Sequence, residues 1–232
     1  YLMHKYQPDR AIGSTWHPLL HGRHAELAIQ EDETAVVLYM LGEYLAASDD
    51  RDFVSNLYVT FVQPAANFMV EYRDEQTKLP HASYDLWEEK FGTHTYTVAL
   101  VHQALLTAAN FADIFEYPDD AVKWRAAAAE IAEGLGVLFE PERQAYRKGY
   151  LLQDDGSLQF DNTLDVSSLY GAFMFALHEF GFDQIRQTVA AIDTILLNKA
   201  PIGGAPRYEH DQYFVSEPPY QGNPWLLTTL WL

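Results

Sequence analysis

The sequence has no cysteine among its 232 residues. This excludes disulfide bridges and thiol catalysis, and it fits either a reducing cytosol or an enzyme large enough to fold without bridges, so the compartment stays open. Basic residues are also scarce, with 15 Lys and Arg against 33 Asp and Glu and a formal net charge of −18. Such a chain would repel a phosphate backbone or an anionic bilayer, which argues against nucleic acid and membrane partners.

Sequence signals of several other functional classes are missing as well. The sequence shows no apolar run long enough to cross a bilayer and no signal-peptide pattern. It contains no phosphate-binding loop, no dinucleotide-binding glycine pattern and no Gly-x-Ser-x-Gly nucleophile. The spacing of His17, His21 and His24 matches no common zinc pattern. We therefore expect no metal and no cofactor.

Apolar residues recur at helical spacing in several long blocks, most clearly from Tyr96 to Phe115. Similar blocks run from about Thr34 to Ala47, Phe53 to Tyr72, Ala121 to Leu138, Val166 to Phe180 and Phe182 to Leu197, with an apolar start from Pro224 to Leu232. The pattern predicts six to seven helices in antiparallel pairs, which fits a ring of α-hairpins. No fixed-period repeat supports a solenoid.

Two local signals interrupt the helical pattern. Pro64 lacks a main-chain donor and should kink or split its block near Val62. Asp154, Asp155 and Gly156 predict a short hairpin between the apolar segments on either side.

The segment from Leu79 to Gly92 places three carboxylates beside a tryptophan, just before the strongest helix. Desolvation by Trp87, with repulsion between Asp85, Glu88 and Glu89, favours a protonated carboxyl group, which a general acid for glycosidic cleavage requires. Adjacent positions on a helical turn point about 100° apart, so Glu88 and Glu89 should have different roles. The alternative, favoured by composition alone, is that these acids only decorate the start of a helix.

Residues Tyr84 to Glu89, Tyr-Asp-Leu-Trp-Glu-Glu, followed by Thr95-Tyr-Thr97, resemble the catalytic segment of glycoside hydrolase family fifteen, the glucoamylases and their bacterial and archaeal relatives. In that family the first Glu is the catalytic acid. The resemblance implies that Glu88 is the acid and that Glu89 holds a sugar hydroxyl. It also implies that Trp87 and Asp85 belong to the substrate site.

Two later segments extend the resemblance. Arg207 to Tyr213 is similar to the family pattern Arg-Tyr-x-x-Asp-x-Tyr, and Gly-Asn-Pro-Trp ends at Trp225. The resemblance implies that Arg207 binds the nonreducing glucose, since its guanidinium presents several fixed donors, and that Tyr208, Asp211 and Trp225 also contact the substrate. The alternatives are a surface arginine and a tryptophan buried in the core. The segment from Phe214 to Gln221 is longer than in fungal members, so the sequence does not fix the shape of the pocket rim that this segment would form.

Gln30 to Thr34 is similar to a Gln-Glu-Asp-Glu-Thr segment of prokaryotic members. Acidic residues favour helix N-termini in any case, so Glu31 and Asp32 carry less weight as ligands. Upstream, Trp16 and His17 could shape the acceptor side of the pocket.

The resemblance implies an all-α (α/α)6 barrel, with residues 1–232 an incomplete portion that lacks N-terminal and C-terminal parts. The remainder of the barrel would come from chain segments missing here. The implied activity is inverting exo-hydrolysis of α-glucosidic bonds at nonreducing ends of α-glucans or oligosaccharides, with release of β-glucose. The alternatives are an α-1,6-specific glucodextranase or isomaltose hydrolase, a trehalase, and a non-catalytic glucan-binding or regulatory module.

Three expectations follow from the resemblance. Glu88 should lie at a pocket floor with Trp87 and Arg207 within reach of the same sugar. The catalytic base should lie beyond Leu232, because the family's base follows the Gly-Asn-Pro-Trp segment at a distance; Glu209 is the internal alternative. An apolar edge should be exposed at the end of the chain, formed by Leu226, Leu227, Leu230 and Trp231.

Overall fold

The computed structural model describes residues 1–2, 6–11, 20–21, 24–25, 29–175, 178–197, 202–215 and 221–232. Trp16 and His17 lie outside these residues, as do the side chains of His21 and His24. The chain forms two compact units, one made of Tyr1–Thr93 and Leu100–Gly134, the other of His94–Ala99 and Leu135–Leu232. Within the described ranges, no helix has both the length and the apolar character needed to cross a membrane.

The first unit is mainly helical. A two-stranded antiparallel pair, β1 (Leu20–His21) and β2 (His24–Ala25), precedes helices α1 (Glu31–Ser48), α2 (Arg51–Leu57) and α3 (Gln63–Glu71). A hairpin follows, formed by β3 (Ser83–Tyr84) and β4 (Phe91–His94), and then helices α4 (Thr95–Ile114) and α5 (Pro118–Gly134). The end of β4 and the first turn of α4, His94–Ala99, belong to the second unit. The helix predicted from Thr34 begins three residues earlier, at Glu31.

The predicted break near Val62 is confirmed. A π-helical turn, Tyr58–Val62, separates α2 from α3, and Pro64 is the second residue of α3. Proline has no N–H to donate, and the hydrogen-bond pattern changes from π to α directly before it. The wider turn before it lets Gln63 N–H bond the carbonyl of Tyr58.

Large apolar side chains hold the first unit together. Trp124 of α5 is fully buried and its Nε1 donates to Asn67 Oδ1 at 3.0 Å, so its one polar atom is satisfied. Helices α1 and α4 approach closely at Gly42, where an added Cβ would lie 2.6 Å from the Thr107 methyl group. These contacts pack α1 against α4 and α3 against α5 within the first unit.

The second unit contains the remaining helices and strands. A 3-10 turn (Leu135–Leu138) leads into the antiparallel pairs β5 (Phe139–Glu140) with β6 (Ala145–Tyr146), and β7 (Gly149–Leu152) with β8 (Leu158–Asp161). The predicted hairpin is thus confirmed, and Gly156 supplies the positive φ of 80° that its turn requires. Helices α6 (Val166–Met174), α7 (His178–Ile195) and α8 (Leu226–Leu230) follow.

The predicted division between two helices at Gly181 is confirmed. Gly181, at φ −160° and ψ 49°, is non-helical and marks a kink inside α7. The helix that begins at Val166 is shorter than the pattern indicates, since α6 ends at Met174.

The end of the second unit exposes apolar side chains. Leu226 and Leu230 are 87% and 82% exposed, and Leu227 is exposed as well, as predicted from the sequence. Trp231 is only partly exposed, because its ring stacks on that of Tyr170 at a centroid distance of 4.2 Å.

Candidate active site

The acidic segment forms the tip of a β-hairpin rather than the start of a helix. Ser83 pairs with Gly92 and Tyr84 with Phe91, and α4 begins only at Thr95. We call residues 83–92 the acid hairpin. The alternative in which the three carboxylates decorate a helix N-terminus is therefore wrong, as is the placement of Glu88 and Glu89 on a helical turn.

Asp85 organises the turn of the acid hairpin. Its N–H donates to Lys90 O at 2.8 Å, and its carbonyl accepts the N–H of Glu88 at 2.9 Å. Its side-chain Oδ1 accepts the N–H groups of Glu89 at 2.8 Å and Lys90 at 3.0 Å. An aspartate that bonds nearby main-chain N–H groups stabilises turns in this way. Because Asp85 is buried and Oδ1 has these two donors, the structure gives it a clear local role, and its predicted contact with substrate stays a prediction.

Glu88 occupies the left-handed backbone region, with a φ of 61°. A four-residue turn that ends in a left-handed residue is common in hairpins, but at a non-glycine position it costs about 1–2 kcal/mol. The side chains of Glu88 and Trp87 are partly exposed, and that of Glu89 is exposed. Part of each of the three residues is thus accessible from solvent.

The residues at the start of α1 contact the acid hairpin. Tyr84 N–H donates to Ile29 O at 3.1 Å, and Gln30 Nε2 donates to Asp85 O at 3.1 Å. Glu31 N–H lies 3.4 Å from Ser83 Oγ. Main-chain and side-chain bonds therefore join two segments that lie about 55 residues apart in the sequence.

Glu31 and Asp32 are buried there, at 0% and 3% exposure. Burial, assisted by the charges of Glu33 and Asp85, raises the pKa of Asp32 to about 8. Burial and the charge of Asp32 raise the pKa of Glu31 well above its ordinary value, against the opposing effect of Arg73. Asp32 therefore favours the neutral form near pH 7, and burial shifts the pKa of Glu31 in the same direction.

The buried environment of Glu31 and Asp32 makes them stronger candidates for site residues than the sequence pattern alone does. A helix N-terminus explains acidic residues that face water, but not acidic residues that are fully buried. Within the described ranges, neither carboxylate oxygen of Glu31 has a hydrogen-bond partner, and Asp32 Oδ1 has none either. The only signal for them in the sequence was the similarity of Gln30–Thr34 to the family segment.

The second group of candidate residues lies in the second unit, around Arg207. Arg207 is 3% exposed and forms a two-point ion pair with the buried Asp211, with Nε–Oδ2 and Nη2–Oδ1 distances of 2.8 Å each. Asp211 Oδ1 also accepts the N–H of Tyr213 at 2.9 Å. The alternative of an ordinary surface arginine is wrong, because this guanidinium is buried and held in one orientation.

Aromatic rings surround the guanidinium of Arg207. Its Cζ lies 5.1 Å from the ring centroid of Tyr208, 4.9 Å from that of Tyr213 and 5.1 Å from that of Trp225. Distances of this size allow cation–π attraction, which strengthens as water is excluded. Trp225 is partly exposed, so the alternative of a tryptophan fully buried in the core is wrong.

A buried ion pair that sequence spacing does not reveal supports this cluster. Lys148 Nζ lies 3.1 Å from Asp165 Oδ2 and 4.2 Å from the ring centroid of Tyr208, and Lys148 and Asp165 are both almost fully buried. Asp165 also caps α6 through Ser167 N–H, and Val166 N–H donates to Arg207 O at 3.0 Å. No local pattern links Lys148 to the other residues, since the contacts arise only on folding.

The surroundings of Glu209 and the arrangement of possible metal ligands complete the description of the site residues. Glu209, the internal alternative for the base, forms an ion pair with Arg143 in the second unit. In the part of the chain that the structure describes, no group of three or more His, Asp or Glu side chains is arranged to hold a metal ion.

Comparison with known proteins identifies the family. The family described as glycosyl hydrolases family 15 matches residues 17–232. An uncharacterized glycosyl hydrolase of Methanocaldococcus jannaschii is 28% identical over 218 residues, which are 92% of this chain and 32% of the relative. The chain thus spans about a third of the length of that relative.

Solved structures show the same fold. A glucoamylase from Saccharomycopsis fibuligera matches 90% of the chain, and 48% of its own, with a TM-score of 0.65 and 20% identity. A bacterial glucoamylase complexed with acarbose matches 84% of the chain, and 30% of its own, with a TM-score of 0.64 and 20% identity. The fold is the all-α fold of the glucoamylases, an (α/α)6 barrel. On these grounds the chain belongs to glycosyl hydrolases family 15.

Proposed function

We propose that the chain carries the general acid and sugar-binding residues of an inverting, exo-acting α-glucosidase of the glucoamylase type. The observation that carries the proposal is the turn of the acid hairpin. There Asp85 holds the backbone of Glu88, the residue that the family resemblance names as the acid, and the Glu88 side chain is partly exposed. A general acid needs a fixed position and access to the leaving oxygen, and the held backbone and partial exposure of Glu88 support that role.

In the proposed reaction Glu88 protonates the leaving glycosidic oxygen. A second carboxylate activates a water molecule on the opposite face of the sugar, so β-glucose is released from the nonreducing end. Glu89, next to Glu88 in the turn, holds a sugar hydroxyl. Glu88 and Glu89 thus have different roles, and only Glu88 acts on the glycosidic bond.

Arg207 binds hydroxyl groups of the terminal glucose in this proposal. The pairing with Asp211 uses Nε and Nη2, which fixes the plane of the guanidinium and so the directions in which its N–H groups point. Tyr208 and Trp225, whose rings lie about 5 Å from Arg207 Cζ, supply apolar surface that can pack against a sugar face. The solved bacterial glucoamylase complexed with acarbose supports an oligosaccharide as the ligand class.

The substrate of the proposal is an α-1,4-linked glucan or oligosaccharide. α-1,6-linked glucans and trehalose are the alternatives. Glucose release from maltose, isomaltose and trehalose, measured on the protein at its full natural length, separates the three. A higher kcat/KM for isomaltose or trehalose than for maltose would contradict the α-1,4 assignment.

Two matched substitutions test the roles of the adjacent carboxylates. Glu88→Gln removes the proton donor but keeps the shape, so kcat should fall by about a hundredfold or more while substrate binding stays nearly intact. Glu89→Gln should mainly raise KM. Retention of most wild-type turnover by Glu88→Gln would exclude Glu88 as the acid.

Tight acarbose binding with no glucose release by the wild-type protein would favour a non-catalytic glucan-binding module instead.

A further inference from the structure

We propose that Gln30 is a positioning residue for Glu88. The proposal rests on the proposed function, in which Glu88 is the general acid. Gln30 precedes α1 and reaches the acid hairpin only through the tertiary fold, and the residue is 3% exposed.

One carbonyl oxygen connects Gln30 to the backbone of Glu88. Asp85 O accepts Gln30 Nε2 at 3.1 Å and also accepts the N–H of Glu88 at 2.9 Å. A carbonyl oxygen has two lone pairs, and these two donors occupy both of them. The orientation of the Asp85 peptide, and with it the start of the turn, is therefore held by a side chain outside the hairpin.

The turn needs such support because Glu88 is held in an unfavourable backbone conformation. At a φ of 61°, a non-glycine residue gains by leaving the left-handed region. Loss of the Gln30 donor would remove one hydrogen bond from Asp85 O in a buried position. Rotation of the Asp85 peptide would then relieve both the lost bond and the unfavourable φ of Glu88. The Glu88 carboxyl group would then move away from the leaving oxygen, and misplacement by about 1 Å can cost a hundredfold in rate.

Other contacts should keep the protein folded when Gln30 is changed. Tyr84 N–H still donates to Ile29 O, and Asp85 Oδ1 still accepts from Glu89 and Lys90. A substitution at Gln30 should therefore displace the Glu88 carboxyl group without unfolding the acid hairpin.

The experiment compares two substrates whose leaving groups need different amounts of protonation. Maltose requires an acid, because an alkoxide is a poor leaving group, whereas fluoride leaves α-glucosyl fluoride with little help. Gln30→Glu keeps the size of the side chain and replaces the donor nitrogen by oxygen; Gln30→Met keeps the volume without a charge. Both should lower kcat for maltose by about tenfold to a hundredfold. Their KM for maltose and their kcat for α-glucosyl fluoride should stay within about threefold of wild type.

Gln63→Glu is the matched control, because Gln63 Nε2 also donates a tertiary bond in the first unit, to Asp120 Oδ2 at 2.8 Å. It should change neither the ratio of the two kcat values nor KM. Equal losses on both substrates in Gln30→Glu and Gln30→Met, or no loss on maltose, would overturn the positioning role. Glu88→Gln is the reference for the proposed function, and it should lower kcat for maltose more than kcat for α-glucosyl fluoride. If it lowers both equally or neither, Glu88 is not the acid, and Gln30 then has no acid to position.

Discussion

The guanidinium of Arg143 holds the carboxylate of Glu209, with Nη2 lying 3.0 Å from Oε1 and 2.9 Å from Oε2. Oε2 also accepts the N–H of Leu164 at 3.3 Å. A carboxylate engaged by these donors binds parts of its own unit together, and this arrangement is unlike that of a base poised to orient a water molecule.

Glu209→Gln should therefore leave kcat for maltose within about threefold of wild type. It should lower the free energy of unfolding by about 1–2 kcal/mol, because the ion pair with Arg143 is lost. Steady-state kinetics and denaturant titration measure the two effects. If the 232 residues alone hydrolyse glucan and Glu209→Gln abolishes that activity, Glu209 is the base and this interpretation is wrong.

Asp32 should make the protein less stable as the pH rises. Its pKa is about 8 in the folded chain against 3.8 ordinarily, so the folded state binds the proton more tightly. The resulting stabilisation is fully present below about pH 4 and is lost as the pH rises toward 8. Asp32→Asn should flatten this decline, and its Tm should exceed that of wild type by more at pH 8 than at pH 5.

Asp52→Asn is the control for that experiment. Asp52 is also in the first turn of a helix, but it is exposed. Its substitution should leave the pH dependence of Tm unchanged. An equal change in the two variants would mean that the buried position of Asp32 is not the cause.

Arg207→Lys should weaken acarbose binding by about tenfold or more. Lysine keeps the charge but cannot form the two-point contact with Asp211 or hold a planar set of donors. Isothermal titration measures the affinity. Arg125→Lys is the matched control, because Arg125 also pairs with an aspartate, Asp113, but on an exposed surface. Equal affinities in the two variants would exclude Arg207 from sugar binding.

Glu88→Gly should stabilise the folded protein by about 1 kcal/mol while abolishing turnover. Glycine adopts a positive φ without the steric penalty that glutamate bears. Glu116→Gly is the control, since Glu116 has a φ of 65° and is exposed after α4. It should raise stability similarly and leave turnover unchanged. A lower Tm for Glu88→Gly would show that the turn does not strain this residue.

The sequence by itself was sufficient for features set by local periodicity. The helices recur where apolar residues repeat at helical spacing, Pro64 marks the π-helical turn, and Gly156 marks the β7–β8 turn. Each depends on neighbouring residues only, through the direction of side chains along a helix or the φ range of one residue. The six-residue segment from Tyr84 to Glu89 likewise indicated the family, which the match over residues 17–232 confirms.

Tertiary structure alone decided the environment of the site residues. The sequence pattern around Glu31 and Asp32 is typical of a solvated helix start, but in the structure both are buried and their pKa values are raised. They lie beside Gln30, which contacts the acid hairpin about 55 residues away. The sequence left a surface position open for Arg207. In the structure it is buried and contacts elements far from it in sequence, since Val166 N–H donates to its carbonyl and the Trp225 ring lies 5.1 Å from its Cζ. Burial, and therefore the cost of charging a side chain, is a property of what packs around a residue after folding, and spacing along the chain does not encode it.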